Sequence, residues 1–397
     1  MDPSRRTDCL LNTRVDILKF IVDWTNDTGS EQNILWIYGL AGSGKSTLST
    51  TIANIFRDSG QLGAFLFFDR DVTERSDPMR VVKTLAHQLA TFDPSIRAAI
   101  RTAVENNPNT LMSPLPHQFR TLVLDPLSGV EHTAPAIVIV LDALDECGTK
   151  GEREALLAVL AHHSIKLHVP IRVIITSRAA SDIYHAFQSG HHILPYELNI
   201  TSSMNRSDIL SYFRHRMSLI RARNRDLRLG PEWPGEEVLL ELVQRAHGLF
   251  VWASTAAKFI NGHSPRNRLG IILAEEKASS AEASLDALYK TALESVEQWD
   301  DEDFVKEFRD ILGTILVARQ PLSTTAIDAL LQSPDMPSLH TISRLACLIQ
   351  QSPTVRVLHP SFAEFLLTNN GVDGKCGFLT DLRMTEVLPL NVWTEWM

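Results

Sequence analysis

The sequence predicts an α/β fold, a parallel sheet with helices on both faces, followed by a region built of helices. Three observations predict it. Short apolar runs rich in β-branched residues, Ile34–Tyr38, Ile137–Leu141 and Ile171–Ser177, alternate with stretches of helical periodicity. The first run leads directly into Gly39-Leu40-Ala41-Gly42-Ser43-Gly44-Lys45-Ser46, and a helical pattern follows in Leu48, Ile52, Ile55 and Phe56. From about residue 199 the strand signals give way to helices, an ordering that suggests a second packed unit.

Residues 10–24 place Leu10, Leu11, Val15, Leu18, Ile21 and Val22 on one stripe, so a helix is expected before the first strand. A turn-rich link, Asn26 to Ser30, separates the two. The octapeptide after the strand fits G-x-x-x-x-G-K-[ST] at every fixed position, and it lies between a strand and a helix, as its chemistry requires. Glycines let backbone N–H groups turn inward around phosphate oxygens, and the helix N-terminus adds partial positive charge. Gly39, Leu40, Ala41, Gly42, Ser43, Gly44, Lys45, Ser46 and Thr47 are therefore the candidate nucleotide-binding residues of a P-loop NTPase sheet. Lys45 can reach the β- and γ-phosphates, and the Ser46 hydroxyl can ligate Mg²⁺. A Gly-rich turn with an incidental lysine is the bland reading, and the strand-before, helix-after context weighs against it.

Ala64–Phe68 reads as a second strand ending in Asp69-Arg70-Asp71. Helices are expected over 78–92 and 94–105, each after a proline, and the Pro/Asn-rich 106–116 reads as a loop. Ile137–Cys147, IVIVLDALDEC, is a strand buried on both faces with acids at its carboxyl end, where such sheets bind ligands. Asp142 would hold Mg²⁺, and Asp145 or Glu146 would orient or deprotonate an attacking water. Acids that merely favour a helix N-terminus would look the same in isolation. After a helix at 150–163, the strand Ile171–Ser177 ends in Arg178, which can point toward the γ-phosphate or sit on the surface. Ile193–Leu198 is a last strand, and Pro195 marks it as an edge.

Further helices are expected at 205–222, 236–247, 249–261, 284–298, 303–317, 324–331 and 341–350, with 262–283 as a loop or linker. The stretch with Arg214, Arg216, Arg221, Arg223, Arg225 and Arg228 reads as a solvated or interdomain face in an acidic chain. At 354–367 a short strand leads to His359 and a helix from Pro360, and on its own this histidine reads as a cap or core residue.

Composition narrows the classes. With 397 residues, 44% hydrophobic and 21% charged, the chain is globular and long enough for two or three domains. A formal net charge of −9 does not indicate general nucleic-acid binding. Cys9, Cys147, Cys347 and Cys376 lack zinc-type spacing and read as reduced thiols. The start lacks the apolar stretch of a secretory leader, and no run approaches a membrane span, so a cytoplasmic, membrane-free protein is expected.

Taken together these pieces resemble the NACHT module of the STAND signal-transduction NTPases, most of all the fungal NLR-type proteins with a nephrocystin-3-like N-terminal NACHT module. The resemblance rests on CLLNTRVDILKFIVDW, WIYGLAGSGKSTLSTTIA, FFDRD with LAHQLA, IVIVLDALDEC, IITSR, WPGEEVLLELVQRAHGLFVWASTAAKFI and VLHPSFAEFL, which occur in family order. It includes the small residue Ala143 after the first acid, and it covers roughly residues 8–370. It implies an N-terminal helix and link at 1–30, a NACHT NTPase domain at 31–198 and a helical domain at 199–283. A winged-helix-like domain at 284–370 and an irregular tail at 371–397 follow. It further implies that the loop and Lys45 hold ADP or ATP, that Ser46 and Asp142 handle Mg²⁺, that Arg178 senses the γ-phosphate, and that His359 contacts the β-phosphate of ADP. Family members carry an effector domain before the module and sensor repeats after it. Here the module starts almost at Met1 and stops matching after about Phe378, so a truncated chain or an imperfect gene model is expected.

The implied function is a switch, closed with ADP and open with ATP, that oligomerises with copies of itself and engages a protein effector in NLR-like signalling or non-self recognition. Two alternatives stand beside it. One is an AAA+-like turnover ATPase, although no clear pore loop or arginine finger is visible. The other is a truncated nucleotide-binding decoy or regulator of longer relatives. No N-K-x-D segment supports GTP.

Overall fold

A computed structural model describes residues 7–368 apart from 28, 71, 130–134, 163–170, 189, 297–298, 319, 333–336 and 352. The expected irregular tail, 371–397 with its two tryptophans, lies outside the described residues. The chain divides into two units, Met1–Asp208 and Ile209–Met397.

In the first unit the strands are β1 (Ile34–Tyr38), β2 (Leu62–Phe67), β3 (Ile137–Asp142), β4 (Ile171–Ser177) and β5 (Ile193–Glu197). They form one parallel sheet in the order β2-β3-β4-β1-β5. The helices are α1 (Val15–Asn26), α2 (Lys45–Asp58), α3 (Thr73–Ser76), α4 (Pro78–Phe92), α5 (Pro94–Asn106), α6 (Leu115–Phe119), α7 (Asp125–Ser128), α8 (Lys150–His162) and α9 (Ser181–Phe187). The division between the units falls within α10 (Ser203–Arg223).

Successive side chains of a strand point to opposite faces, so each strand serves two cores. Ile34, Trp36, Leu66, Ile139, Leu141, Val173 and Ile175 pack on one face against α4, α5, α8 and α9. Leu35, Ile37, Phe65, Phe67, Val138, Val140 and Ile174 pack on the other against α1 and α2. Burial on both faces is why the strands read as continuous apolar runs rather than alternating ones. Both sheet edges are blunted. On β5, Pro195 sits at the edge as expected. On β2, the Gln88 side chain of α4 accepts from Phe65 N–H at 2.8 Å and donates to Phe65 O at 3.2 Å, standing in for the missing neighbour strand.

Two local expectations for this unit fail for visible reasons. The first helix starts at Val15, not residue 10, because Asn12 and Arg14 take left-handed φ values of 64° and 59°. The Thr13 hydroxyl closes that turn on Leu10 O at 2.6 Å. The expected loop at 106–116 is partly ordered as a 3₁₀ turn, Pro108–Met112, and α6.

The second unit contains α11 (Glu236–Arg245), α12 (Phe250–Ile260), α13 (Pro265–Ala274), α14 (Ala281–Glu294), α15 (Glu302–Val317), α16 (Thr324–Leu331) and α17 (Ser338–Arg344). An antiparallel pair, β6 (Ile349–Gln350) and β7 (Arg356–Val357), precedes α18 (Pro360–Thr368). An isolated bridge, Leu322 to Val355, joins the segment before α16 to the hairpin. The expected linker at 262–283 holds a helix, α13, which buries Leu269 and Ile272 behind a polar PRNR start that hid its periodicity. The helix expected at 341–350 ends at Arg344, and its last residues form β6. Among the described residues no helix is long and apolar enough to cross a membrane.

Candidate functional site

The phosphate loop joins β1 to α2. Gly42 and Gly44 have φ values of 76° and 92°, a region open to glycine at little cost. These two reversals turn the loop so that α2 begins at Lys45. The Lys45 ammonium folds back onto its own loop and donates to Gly39 O at 2.8 Å and Leu40 O at 2.7 Å. Burial pulls its pKa down to about 8, with Asp145, Asp142 and Glu146 opposing the shift and Arg178 adding to it. Those causes place the predicted charged residues around one amine. Among the described residues the fully buried Ser43 hydroxyl has no hydrogen-bond partner, an orphaned polar atom inside a loop built to meet oxygen atoms.

The acids come from the end of β3. Asp142 is fully buried, and its Oδ1 accepts from Thr176 Oγ1 at 2.6 Å and Ser49 Oγ at 2.9 Å. Thr176 Oγ1 also accepts from Ala143 N–H at 3.1 Å. Ala143 itself has a φ of 60°, which bends the chain sharply after Asp142 and sends Leu144–Glu146 into a 3₁₀ turn. A β-branched residue would be more strained at this backbone conformation than alanine is. A set of carboxylate and hydroxyl oxygens suits a hard cation, so Ser46 and Asp142 fit Mg²⁺, which takes few protein ligands and keeps phosphate and water oxygens.

β4 lies between β1 and β3, so Arg178 at its end emerges between the phosphate loop and Asp142. Its main-chain N–H donates to Asp145 Oδ1 at 2.9 Å, and its Nε lies 3.4 Å from Asp145 Oδ2. Burial pushes the Glu146 carboxyl up to about 7, partly offset by the Arg70 charge and an Arg70 hydrogen bond.

Against these coordinates stand the likenesses to known proteins. Residues 19–178 match the family model described as nephrocystin 3, N-terminal. That match takes in β1, the phosphate loop, the acid strand and Arg178, and this part of the chain resembles the NACHT-type P-loop NTPases. The chain is also 24% identical over 360 residues to the vegetative incompatibility protein HET-E-1 of Podospora anserina, a match covering 85% of this chain. It spans about a quarter (25%) of that curated relative's length. Among solved structures, a STAND protein with a tetratricopeptide repeat sensor from Pyrococcus horikoshii matches at a TM-score of 0.45 and 17% identity, over 91% of this chain and 42% of that one. Cdc6p from Pyrobaculum aerophilum matches at 0.40 and 11%, over 92% of this chain and 98% of that one.

The loop residues Gly39–Thr47, Asp142, Asp145, Glu146 and Arg178 all lie in the first unit, and His359 lies in the second at the turn before α18. Four residues of the first unit's site carried no clear signal in sequence. Ser49 and Thr176 hold Asp142 from α2 and β4, but hydroxyls in apolar patterns read as neutral fillers. Buried Arg14 donates to Ser43 O at 2.7 Å, while its own N–H donates to Asp208 Oδ2 at 3.2 Å, so the pre-strand segment grips the phosphate loop. Buried Arg153 of α8 donates to Asp145 O and Cys147 O at 3.0 Å each and to Gly148 O at 3.2 Å. It also pairs with Asp182 at 2.7 Å. An arginine in the first turn of a helix reads as solvated until the loop it clamps is seen.

Proposed function

We propose that this chain is an ATP/ADP-operated molecular switch, closed with ADP and open and self-associating with ATP, acting in NLR-like signalling or non-self recognition. The observation that carries this reading is the hold of Asp145 on Arg178 at 2.9 and 3.4 Å. An arginine parked on a carboxylate beside the phosphate loop has an alternative partner in a γ-phosphate, which ADP lacks. Arg178 would exchange Asp145 for that oxygen, and the 3₁₀ turn that carries Asp145 would be released with it. A ligand moves an equilibrium only by its difference in affinity for the two states. Going from 1:99 to 99:1 needs about 5.5 kcal/mol, and one charged hydrogen bond supplies about 1.5–3, so Arg178 would act together with Lys45, the Mg²⁺ held by Ser46 and Asp142, and His359. The winged-helix-like reading of 284–370 belongs to this proposal. It is supported by the succession α15, bridge, α16, α17, β6, β7. HET-E-1 is described as a vegetative incompatibility protein, and a role in self/non-self discrimination with a protein effector is proposed for this chain on that likeness.

One observation favours a turnover ATPase. Glu146, held near neutrality at about 7, has the pKa of a working general base.

The deciding test is the nucleotide released on denaturing the purified protein, with Lys45→Ala as control. Stoichiometric ADP that the variant lacks supports the switch. Empty protein with steady hydrolysis above about 1 s⁻¹ supports the enzyme instead. Protein that neither holds nor hydrolyses nucleotide would point to a degenerate or truncated module.

A further inference from the structure

Two cations of the second unit, Arg216 on α10 and Lys258 on α12, lie in each other's field. Edge-on ring contacts hold the two helices together, Tyr212 to Phe250 at 6.1 Å and Phe213 to Trp252 at 6.3 Å. Both cations are half-buried. Burial, and after it the Arg216 charge, pull the Lys258 ammonium below its ordinary pKa.

Charges taken out of water are normally paired. Among the described residues neither of these side chains makes a hydrogen bond or an ion pair, and the Nε of Arg216 is buried without a partner. The acidic groups beside them carry no charge. Burial pushes the Tyr212 phenol up from its ordinary value against the Arg216 charge. It also pushes the Cys347 thiol up to about 11 against the Arg268 and Lys258 charges. Arg268 itself is engaged elsewhere, donating to Phe259 O at 3.1 Å and lying 4.8 Å over the Phe259 ring.

A long basic side chain usually escapes the cost of burial by holding its charged end in water. A guanidinium with a buried, unmatched Nε has not escaped it. What the cluster lacks is an anion able to accept from both side chains. Arginine offers a planar fork of donors and lysine a compact point charge, and both suit the oxygens of a phosphate group. Because both side chains are only half-buried, a ligand can reach them from solution.

We propose that Arg216 and Lys258 form a binding site for the phosphate group of a small soluble anion, in addition to the phosphate loop of the first unit. The bound anion would bridge α10 and α12 and so add to the stability of the second unit.

The experiment uses the full chain and reads Lys258 alone. Lysines are acetylated with a limiting amount of an N-hydroxysuccinimide ester, and each site is quantified by peptide mass mapping. Inorganic phosphate is titrated against chloride at equal ionic strength. Only the free amine reacts, and a pKa raised by one removes about nine-tenths of it. Phosphate should therefore slow acetylation of Lys258 about tenfold and saturably, while exposed Lys19 stays unchanged. Lys45 appears in the same map, so occupancy of the phosphate loop is read separately. Arg216→Gln should abolish the protection of Lys258, and Arg216→Lys, which keeps the charge, should retain part of it. Phosphate and chloride acting alike on the parent's Lys258 overturns the proposal, and that comparison decides even where a variant fails to fold. Equal protection in the parent and Arg216→Gln overturns it as well. A last arm replaces phosphate with vesicles of phosphatidic acid in phosphatidylcholine. Protection by the vesicles and not by phosphate would assign the site to a lipid headgroup and overturn the small anion.

Discussion

Asp145 holds Arg178 at two points, accepting from its main-chain N–H at 2.9 Å and facing its guanidinium at 3.4 Å. The two bonds should be separable. Asp145→Asn keeps an oxygen for the N–H and loses the ion pair, whereas Asp145→Ala loses both and leaves a half-buried N–H without that partner. Alanine should cost about 1–3 kcal/mol and asparagine clearly less. Urea denaturation of both variants checks this, and equal losses would show that the main-chain bond contributes nothing.

Lys45 gives a pH dependence. Its folded-state pKa, pulled down by burial to about 8, lies below the unfolded value. Phosphate oxygens favour the ammonium form, so binding raises that pKa again. ADP affinity should be flat below about pH 7.5 and fall above 8, approaching about tenfold per pH unit while binding requires proton uptake. Calorimetry at pH 7, 8 and 9 in buffers of different ionisation enthalpy reads both affinity and proton uptake. Affinity unchanged at pH 9 would mean that Lys45 stays charged in the free protein.

Ala143 carries a φ of 60°, where a Cβ is strained and a branched side chain more so. Ala143→Gly should be neutral to about 1 kcal/mol stabilising, while Ala143→Val should cost about 1–3 kcal/mol. Thermal melts of the pair decide it. A valine variant as stable as the parent would mean that the turn relaxes without cost.

These three positions show what the sequence made readable. Lys45 and Asp142 stand at fixed distances from strong strand and helix signals, so the phosphate loop and the acid strand could be placed from periodicity and one motif. The spatial order of the strands could not, because nothing in Ile171–Ser177 says that it inserts between β1 and β3. The 2.9 Å bond from Arg178 N–H to Asp145 was hidden for the same reason, since it depends on two strand ends becoming neighbours. Arg14 was obscured by a stronger pattern: the apolar stripe through Leu10 and Leu11 suggested a helix where left-handed residues make a turn. His359 became a candidate through family resemblance, because a histidine before a helix has a ready local explanation as a cap.

Gln88 guards the β2 edge by bonding both polar groups of Phe65, at 2.8 and 3.2 Å. Gln88→Leu keeps the size and removes both bonds. It should lower stability by about 1–3 kcal/mol and make the protein self-associate through the bared edge. Light scattering against concentration separates this from simple destabilisation: a variant that is less stable but stays monodisperse would show that the edge needs no guard.

Arg153 and Asp182 form a buried pair at 2.7 Å, with side chains 6% and 12% exposed. The same guanidinium gathers the carbonyls of Asp145, Cys147 and Gly148, so it fixes the turn that carries both Asp145 and Glu146. Breaking one side of such a pair leaves a buried charge unmatched, and Arg153→Met should cost about 3–5 kcal/mol. Adding Asp182→Leu removes the stranded carboxylate and should recover part of that loss, leaving the cost of the unsatisfied carbonyls. The size of the coupling separates two accounts of Arg153. If it acts mainly as the counter-ion of Asp182, the double variant approaches parent stability. If it acts mainly as the clamp of the 145–148 turn, the double variant stays destabilised and any hydrolysis of ATP falls with it. The three carbonyl bonds favour the clamp, and a double variant restored in both stability and hydrolysis would refute it.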